Sequence, residues 1–329
     1  MEYINSPRTD PCWNLALEQY VFDSLDRSKS YFMLWQNHNT IVVGKNQNTV
    51  AEINSDFVRA HDINVVRRLS GGGAVYHDMG NLNFTFITDA DKMDGIDLHM
   101  FCVPIVETLR SFGVQAEISG RNDITVDGKK FSGNSQYVRE GRVMHHGTIM
   151  FDSDLTTVTQ ALQVDRDKIQ SKGIKSVASR VTNLRPYMPE GTTLEQFRQR
   201  LLEYLSAAEP LHTLTLTAAD ETQIEAIRAA RYATWEWNYG RSPKFDVTRK
   251  RYWDGGCLEA SVSIADGRIT DVRFCGDFLA VRDMDALLAA LKGTAYRPEA
   301  VRPVLEASPV AELFGAITAD EVIATLFDL

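Results

Sequence analysis

The spacing of apolar positions changes along the chain often enough to mark out its elements. Leu17, Val21 and Leu25 recur every four residues behind Asp10 and Pro11. A capping carboxylate followed by proline in the first turn predicts a helix there. Short apolar runs then predict strands over Tyr31–Trp35 and Thr40–Val43, the second ending at Gly44. Further strands are expected over Asn64–Arg68, Leu82–Ile87, Asp123–Val126 and Gly147–Phe151. A helix is expected over Met100–Phe112, stopped by Gly113, and Asp127-Gly128 marks a turn. The interleaving is irregular, which points to a mixed α+β sheet and not to a regular series of parallel crossovers.

Pro186, Pro189 and Gly191 make Arg185–Thr193 a connector, and a second break falls near Gly240–Lys244. Beyond it Leu258, Ala260, Val262 and Ile264 alternate with Glu259, Ser261 and Ser263, the pattern of a strand buried on one face. Asp266-Gly267 turns it into a strand over Ile269–Phe274. A helix over Asp285–Leu291 closing at Gly293, and another opening on the capping box Thr318/Glu321, complete this part. The expected organisation is a large domain over 1–245 and a small α+β domain over 246–329, the latter without a reactive constellation.

Charge narrows the function. Lys and Arg total 35 against 44 Asp and Glu, a net −9 in 329 residues. That balance argues against general nucleic-acid binding, which needs a basic face. No apolar run approaches the roughly 18 residues that cross a bilayer, and the N-terminal residues lack a signal-peptide layout. The four cysteines (Cys12, Cys102, Cys257, Cys275) are scattered without a CxxC pair. They read as reduced thiols in a cytoplasmic protein.

Three stretches are too polar and glycine-rich to be explained by folding alone. In Arg67-Arg68-Leu69-Ser70-Gly71-Gly72-Gly73-Ala74-Val75-Tyr76-His77, three glycines follow a strand, where backbone N–H groups can approach an anion. The two arginines offer charge-assisted donors to carboxylate or phosphate. A floppy hairpin loop would also tolerate three glycines, and the spacing matches neither the Walker nor the dinucleotide pattern. In the second stretch, Asp123 is a hard-oxygen ligand of the kind Mg²⁺ uses with nucleotides. Lys129 and Lys130 stand beside a Ser132-Gly133 turn, where one can neutralise an anion and at least one is a solvated hairpin tip. The third, running through Lys172, Lys175 and Arg180, is a basic loop in an acidic chain and suits phosphates or an acidic partner.

In their order, Arg68 to Asp78, Gly120-Arg121-Asn122-Asp123, Lys130-Phe131-Ser132-Gly133, His146-Gly147-Thr148 and Ser176 to Leu184 resemble the signature of lipoate–protein ligase A. Asn14-Leu15-Ala16-Leu17-Glu18 and Val42 to Asn48 fit the same pattern, and Trp235 to Phe245 with Gly276-Asp277-Phe278 resembles that family's accessory domain. The resemblance covers nearly the whole chain. It implies a biotin/lipoate-ligase type of catalytic domain and a two-step reaction. Lipoate and ATP with Mg²⁺ give lipoyl-AMP and pyrophosphate. The acyl group then passes to a lysine of an acceptor domain, of a 2-oxoacid dehydrogenase or of the glycine-cleavage H protein. Octanoate remains an open alternative donor.

By the same resemblance, Lys130 is the catalytic charge between carboxyl and α-phosphate, and Asp123 holds the metal. Arg68, Gly71, Gly72, Gly73, His77 and Lys130 would meet lipoate. Leu69, Ala74, Val75, Tyr76, His77, Asn81, Asn83, Asp123, Lys130, Thr148, Lys175, Ser179 and Arg180 would meet ATP or adenylate. Leu69 stands where related ligases can carry a third basic residue, which leaves only its backbone for that contact. Val42, Val75 and Phe84 are expected to line an apolar slot for the acyl chain. The small domain is expected to reorient about 240–246.

Three other readings compete. An octanoyl or lipoyl transferase of the same fold would use no ATP and needs an activated thiol at the pocket. A biotin ligase carries a different basic pattern in its glycine loop. A non-catalytic binding module would leave Lys130 and Asp123 without a purpose.

Overall fold

The computed structural model describes residues 1–89, 98–120, 122–162, 180–239, 246–265 and 267–327. Its body is an eight-stranded mixed sheet. In chain order the strands are β1 (Glu2–Asn5), β2 (Tyr31–Trp35), β3 (Thr40–Val43), β4 (Asn64–Arg67), β5 (Val75–His77), β6 (Asn81–Asp89), β7 (Ala116–Ser119) and β8 (Asp123–Val126). They continue with β9 (Lys129–Arg139), β10 (Arg142–Met150), β11 (His212–Thr213), β12 (Val247–Trp253), β13 (Gly256–Ala265) and β14 (Arg268–Gly276). The large sheet runs β11-β1-β2-β6-β10-β9-β8-β7, and β4-β3-β5 form a small sheet that carries the glycine loop between β4 and β5.

Side chains on β2 explain why a plain apolar run marks it. Phe32 and Leu34 enter one core with the helices Leu98–Ser111 and Leu194–Ala208. Tyr31, Met33 and Trp35 enter a second core under helix α1 (Pro11–Ser24). Both faces are buried, so the strand has no polar alternation. β6 is asymmetric: Leu82, Phe84 and Phe86 pack into the first core, while Asn83 and Thr85 alternate with them and are buried too. Asp10 caps α1 by accepting from the N–H groups of Cys12 and Trp13, with Pro11 in the first turn.

The strand predicted over Gly147–Phe151 is the second half of β10. Lys129 and Lys130 were expected beside a turn at Ser132-Gly133, and here the structure differs: both residues of that pair lie within β9, whose neighbours β8 and β10 supply the ladder. The turn itself is Asp127-Gly128, both at positive φ (49° and 70°). Lys129 is exposed beside that turn, as a hairpin-tip lysine should be.

Strands β12-β13-β14 and the helices from Asp285 to Phe327 enclose a separate core around Leu258, Phe274, Leu305 and Phe314. The capping box at Thr318/Glu321 is formed. This small unit lies against the glycine loop. Gly72 N–H donates to Phe278 O (3.0 Å), Gly71 N–H to Ala280 O (3.4 Å), and Gly276 N–H to Asn46 O (2.8 Å).

Candidate active site

The glycine loop borders a cleft of about 590 Å³, open mouth included. Gly72 adopts φ +87°, and a Cβ on Gly44 would stand 2.0 Å from Gly72 O, so the loop crosses Gly44 at backbone contact. Arg68 holds it in that shape. Its buried guanidinium donates to Gly71 O (2.6 Å), Gly73 O (2.9 Å), Ser70 Oγ (3.0 Å) and Val42 O (3.2 Å). Burial lowers its pKa to about 10. Arg68 thus borders the cleft while most of its donors are spent on the loop.

Two expectations for this loop change. Arg67 is no anion donor: its guanidinium is buried on the carbonyls of Gly44, Lys45, Gln47, Trp237 and Asn238 at 2.7–3.1 Å, tying β4 to the segment 235–238. The N–H groups of Gly71 and Gly72 are not aimed at an anion either, because small-domain carbonyls accept from them.

Across the cleft, Lys130 Nζ stands 2.7 Å from Asp123 Oδ1, an ion pair lacking the alignment of a hydrogen bond. A Cβ on Gly133 would meet that Nζ at 2.9 Å, so the lysine lies across a position that only glycine leaves open. The segment 180–182 clamps the Lys130 backbone, with Lys130 N–H donating to Arg180 O (2.7 Å) and Thr182 N–H to Lys130 O (2.8 Å). Thr148 Oγ1 accepts from Gly133 N–H (3.2 Å) and faces the same cleft.

Of the other predicted residues, Gly72, Gly73, Ala74, Val75, His77 and Asn83 border the cleft. Asn81 lies behind it, donating to Asn83 Oδ1 (2.8 Å). The side chains of Leu69 and Tyr76 turn into apolar cores. Lys175 and Ser179 lie outside the described residues, as does most of 240–246. The apolar end is formed by Leu15, Trp35, Val42 and Val75, whereas Phe84 packs beneath Gly147.

A buried polar chain that the sequence reading did not assemble runs below this end. Trp35 Nε1–H donates to Thr85 Oγ1 (2.9 Å), which donates to Glu18 Oε1 (2.5 Å). Glu18 Oε1 is 3.0 Å from His146 Nδ1, and His146 Nε2 is 2.6 Å from Ser70 Oγ. Glu18, an acidic residue among the apolar positions Leu15, Leu17 and Val21 of α1, was its available signal. His77 is buried nearby, and burial, aided by Arg68 and His146, lowers its pKa to about 3, so it is neutral.

Residues 10–206 match the family model of the lipoyl protein ligase A/B catalytic domain, and 242–326 match that of the bacterial lipoate protein ligase C-terminus. The chain is 42% identical over 326 residues to lipoate-protein ligase LplJ of Bacillus subtilis, covering 98% of each. It superposes on the P. falciparum LipL1 structure, solved in complex with lipoate, with a TM-score of 0.83, 25% identity and full coverage of both chains. A bipartite lipoate protein ligase from Thermoplasma acidophilum, studied with its E2 lipoyl domain, gives 0.63 and 25% over 75% of this chain and 98% of that one. Matches to both family models, and to a relative over nearly its whole length, agree with the cleft built on the glycine loop and Lys130: the chain belongs to the lipoate–protein ligase family.

Proposed function

We propose that the protein activates free lipoate with ATP as an acyl-adenylate and transfers the lipoyl group to a lysine of an acceptor lipoyl domain. A carboxylate and an amine do not condense unaided in water, so a ligase working on the free acid needs a leaving group, and AMP is one. The observation that carries the reading is Lys130, which borders a cleft with an apolar end and is paired with Asp123. The apolar end suits a dithiolane on an alkyl chain. Lys130 suits the place where a carboxylate and a phosphate, both anionic, must approach each other. Positioning and charge neutralisation do most of this work, and no general base is required of the chain.

Asp123 is the carboxylate that would hold Mg²⁺. The fit rests on Asp123 Oδ1, a buried oxygen with no hydrogen-bond partner among the described residues, because Mg²⁺ with nucleotides takes one or two protein carboxylates and completes its shell from phosphates and water. Bound there, the ion would neutralise phosphate charge. Lys130 would then exchange its carboxylate partner for the ligand's anionic oxygens. Acceptors of the 2-oxoacid dehydrogenase type are supported by the E2 lipoyl domain named with the Thermoplasma ligase, and the H protein is a further candidate. No described helix is long and apolar enough to cross a membrane, and we place the enzyme in the cytoplasm. The boundary near 245/246 is supported by the separate core of β12–β14 and the helices after them.

A thioester-transfer reading finds no support in the thiols. No cysteine borders the cleft. Cys12, at the start of α1, donates to Tyr232 O (3.1 Å), and burial raises its pKa to about 11. The test is intact mass of a purified apo lipoyl domain incubated with lipoate, with and without Mg-ATP, using wild type and Lys130→Ala. A lipoyl mass gain requiring both ATP and Lys130 is expected. A gain from an acylated donor protein without ATP would replace this reading with a transferase.

A further inference from the structure

His77 ends a chain of buried amides whose orientations can be read from atoms that have no choice of role. A backbone carbonyl only accepts. The Asn14 side chain places one atom 3.1 Å from Arg8 O and 2.9 Å from Gln36 O, so that atom is the amide nitrogen. The same nitrogen is 2.9 Å from the Asn37 side chain, which must therefore present Oδ1 to it. Ser6 Oγ–H donates to the remaining Asn14 oxygen (2.6 Å). Asn37 then has only its NH₂ to turn toward His77, 3.2 Å from Nδ1. Asn83, itself accepting from Asn81, places its Nδ2 3.4 Å from the same ring nitrogen.

We propose that His77 is a neutral donor that presents Nε2–H to an acceptor oxygen of the ligand, and that Asn14 and Asn37 are positioning residues that fix this tautomer. A neutral imidazole carries one proton, and a ring nitrogen that accepts from an amide cannot hold it. The proton is therefore on Nε2. That atom is buried, belongs to a residue that borders the cleft, and has no hydrogen-bond partner among the described residues. A buried N–H without a partner is costly, which is the mark of a donor kept for something that enters. The Trp35 ring, edge-on at 6.0 Å, holds the imidazole plane. The charged and titratable groups facing it are Arg68 and His146, both of which disfavour an imidazolium. His77 is thus excluded as a proton donor to a base, and it complements Lys130: one neutral and one cationic donor, both suited to a carboxylate or phosphate oxygen.

The ligand's identity rests on the ligase reading, whereas the tautomer does not, so the two are tested separately. ¹⁵N NMR of the histidine-labelled full chain should show a pyridine-like Nδ1 and a pyrrole-like Nε2 for His77, unchanged from pH 5 to 8. A pyrrole-like Nδ1 or an imidazolium in that range would overturn the inference, whatever the enzyme does. In Asn37→Asp, one carboxylate oxygen accepts from Asn14 and the other faces Nδ1, which must then carry the proton and leave Nε2 bare. Lipoate-dependent pyrophosphate release should fall about tenfold to a hundredfold, the size of one lost hydrogen bond left unpaired. His77→Gln, which keeps an N–H donor, should retain activity within a few fold of wild type, while His77→Leu should lose as much as Asn37→Asp. A ring that flips in Asn37→Asp without loss of rate, or equal loss in His77→Gln and His77→Leu, would refute the donor role. If Asn37→Asp does not fold, the wild-type spectrum and the His77 pair decide. Wild type that never activates lipoate would sink the ligase reading and leave the tautomer measurement standing.

Discussion

At the residue scale, His77 on the small sheet and His145 on the large one are both buried, and burial is the first reason that each holds a proton less readily than a free imidazole. His145 is stacked on Phe101 (4.8 Å between centroids) and is 3.3 Å from both Gln136 Nε2 and Asn134 Oδ1. In the unfolded chain both rings titrate near pH 6.5. In the folded chain His77 titrates at about 3 and His145 well below its ordinary value. Below pH 6.5 the unfolded state therefore binds protons that the native state refuses. For His77, stability is lost as the pH falls from 6.5 toward 3, by about 1.4 kcal/mol per pH unit, and His145 adds a loss of the same sign. Urea unfolding between pH 7 and 4.5 should show this decline, and His77→Gln should make it shallower. An unchanged slope in His77→Gln would mean that the ring is solvated and titrates normally.

At the scale of elements, β9 and β10 carry most of the cleft's far wall, and their glycines separate stability from activity. Gly147 pairs with Asn134 across the ladder, and a Cβ there would stand 2.1 Å from Asn134 Oδ1 and 2.6 Å from the Phe84 ring. Phe84 cannot retreat without disturbing the first core, and Asn134 is held by Asn122 O (3.1 Å) and lies 3.3 Å from His145 Nε2. Gly147→Ala should therefore cost about 1–3 kcal/mol and lower the melting temperature by several degrees. At Gly133 the obstacle is the flexible end of Lys130. Gly133→Ala should melt within about a degree of wild type, since a surface-tip rearrangement costs little, yet lose ligation activity because the ammonium is displaced. Equal melting temperatures for the two variants would contradict this difference. These strands also show what the sequence could convey. β2 and β3 were legible because strands buried on both faces are plain apolar runs. β9 was not, because Ser132 to Gln136 are polar, and their strand conformation comes from pairing with β8 and β10. Lys130, Asp123 and the glycine loop were legible as motif residues. The role of Arg67 was not, since carbonyl partners 170 and 171 positions away leave no local trace.

At the scale of the whole molecule, the contacts that dock the small domain include, among the described residues, backbone hydrogen bonds, a Tyr137 Oη–H donated to Asp283 Oδ2 (3.5 Å) and an uneven ion pair. Val138 N–H donates to Val281 O (2.6 Å), Gly72 N–H to Phe278 O and Gly276 N–H to Asn46 O. Beside them Lys45, on the large domain, pairs with Asp283 of the small one. Burial lowers the Lys45 pKa from 10.5 to about 8, against the opposing pull of Asp285. A lysine whose pKa is lower when docked than when solvated resists docking while it is charged, and the docked state gains as pH rises from 8 toward 10.5. The two partners should therefore not be equivalent. Lys45→Met removes the desolvation cost and keeps the stem's packing, so docking should be unchanged or tighter. Asp283→Asn leaves the ammonium covered without its carboxylate and should loosen docking. Hydrogen exchange at the amides of Gly72, Val138 and Gly276, corrected for intrinsic rates, reads this directly. Asp283→Asn should speed exchange at these sites about tenfold at pH 7, equivalent to one pKa unit of lost interaction. Lys45→Met should not, and the double variant should follow Lys45→Met. Amides in the β6–β10 ladder should exchange alike in all four proteins. If Lys45→Met loosened the interface as much as Asp283→Asn, the ion pair would be a net attraction and not a charge held at a cost.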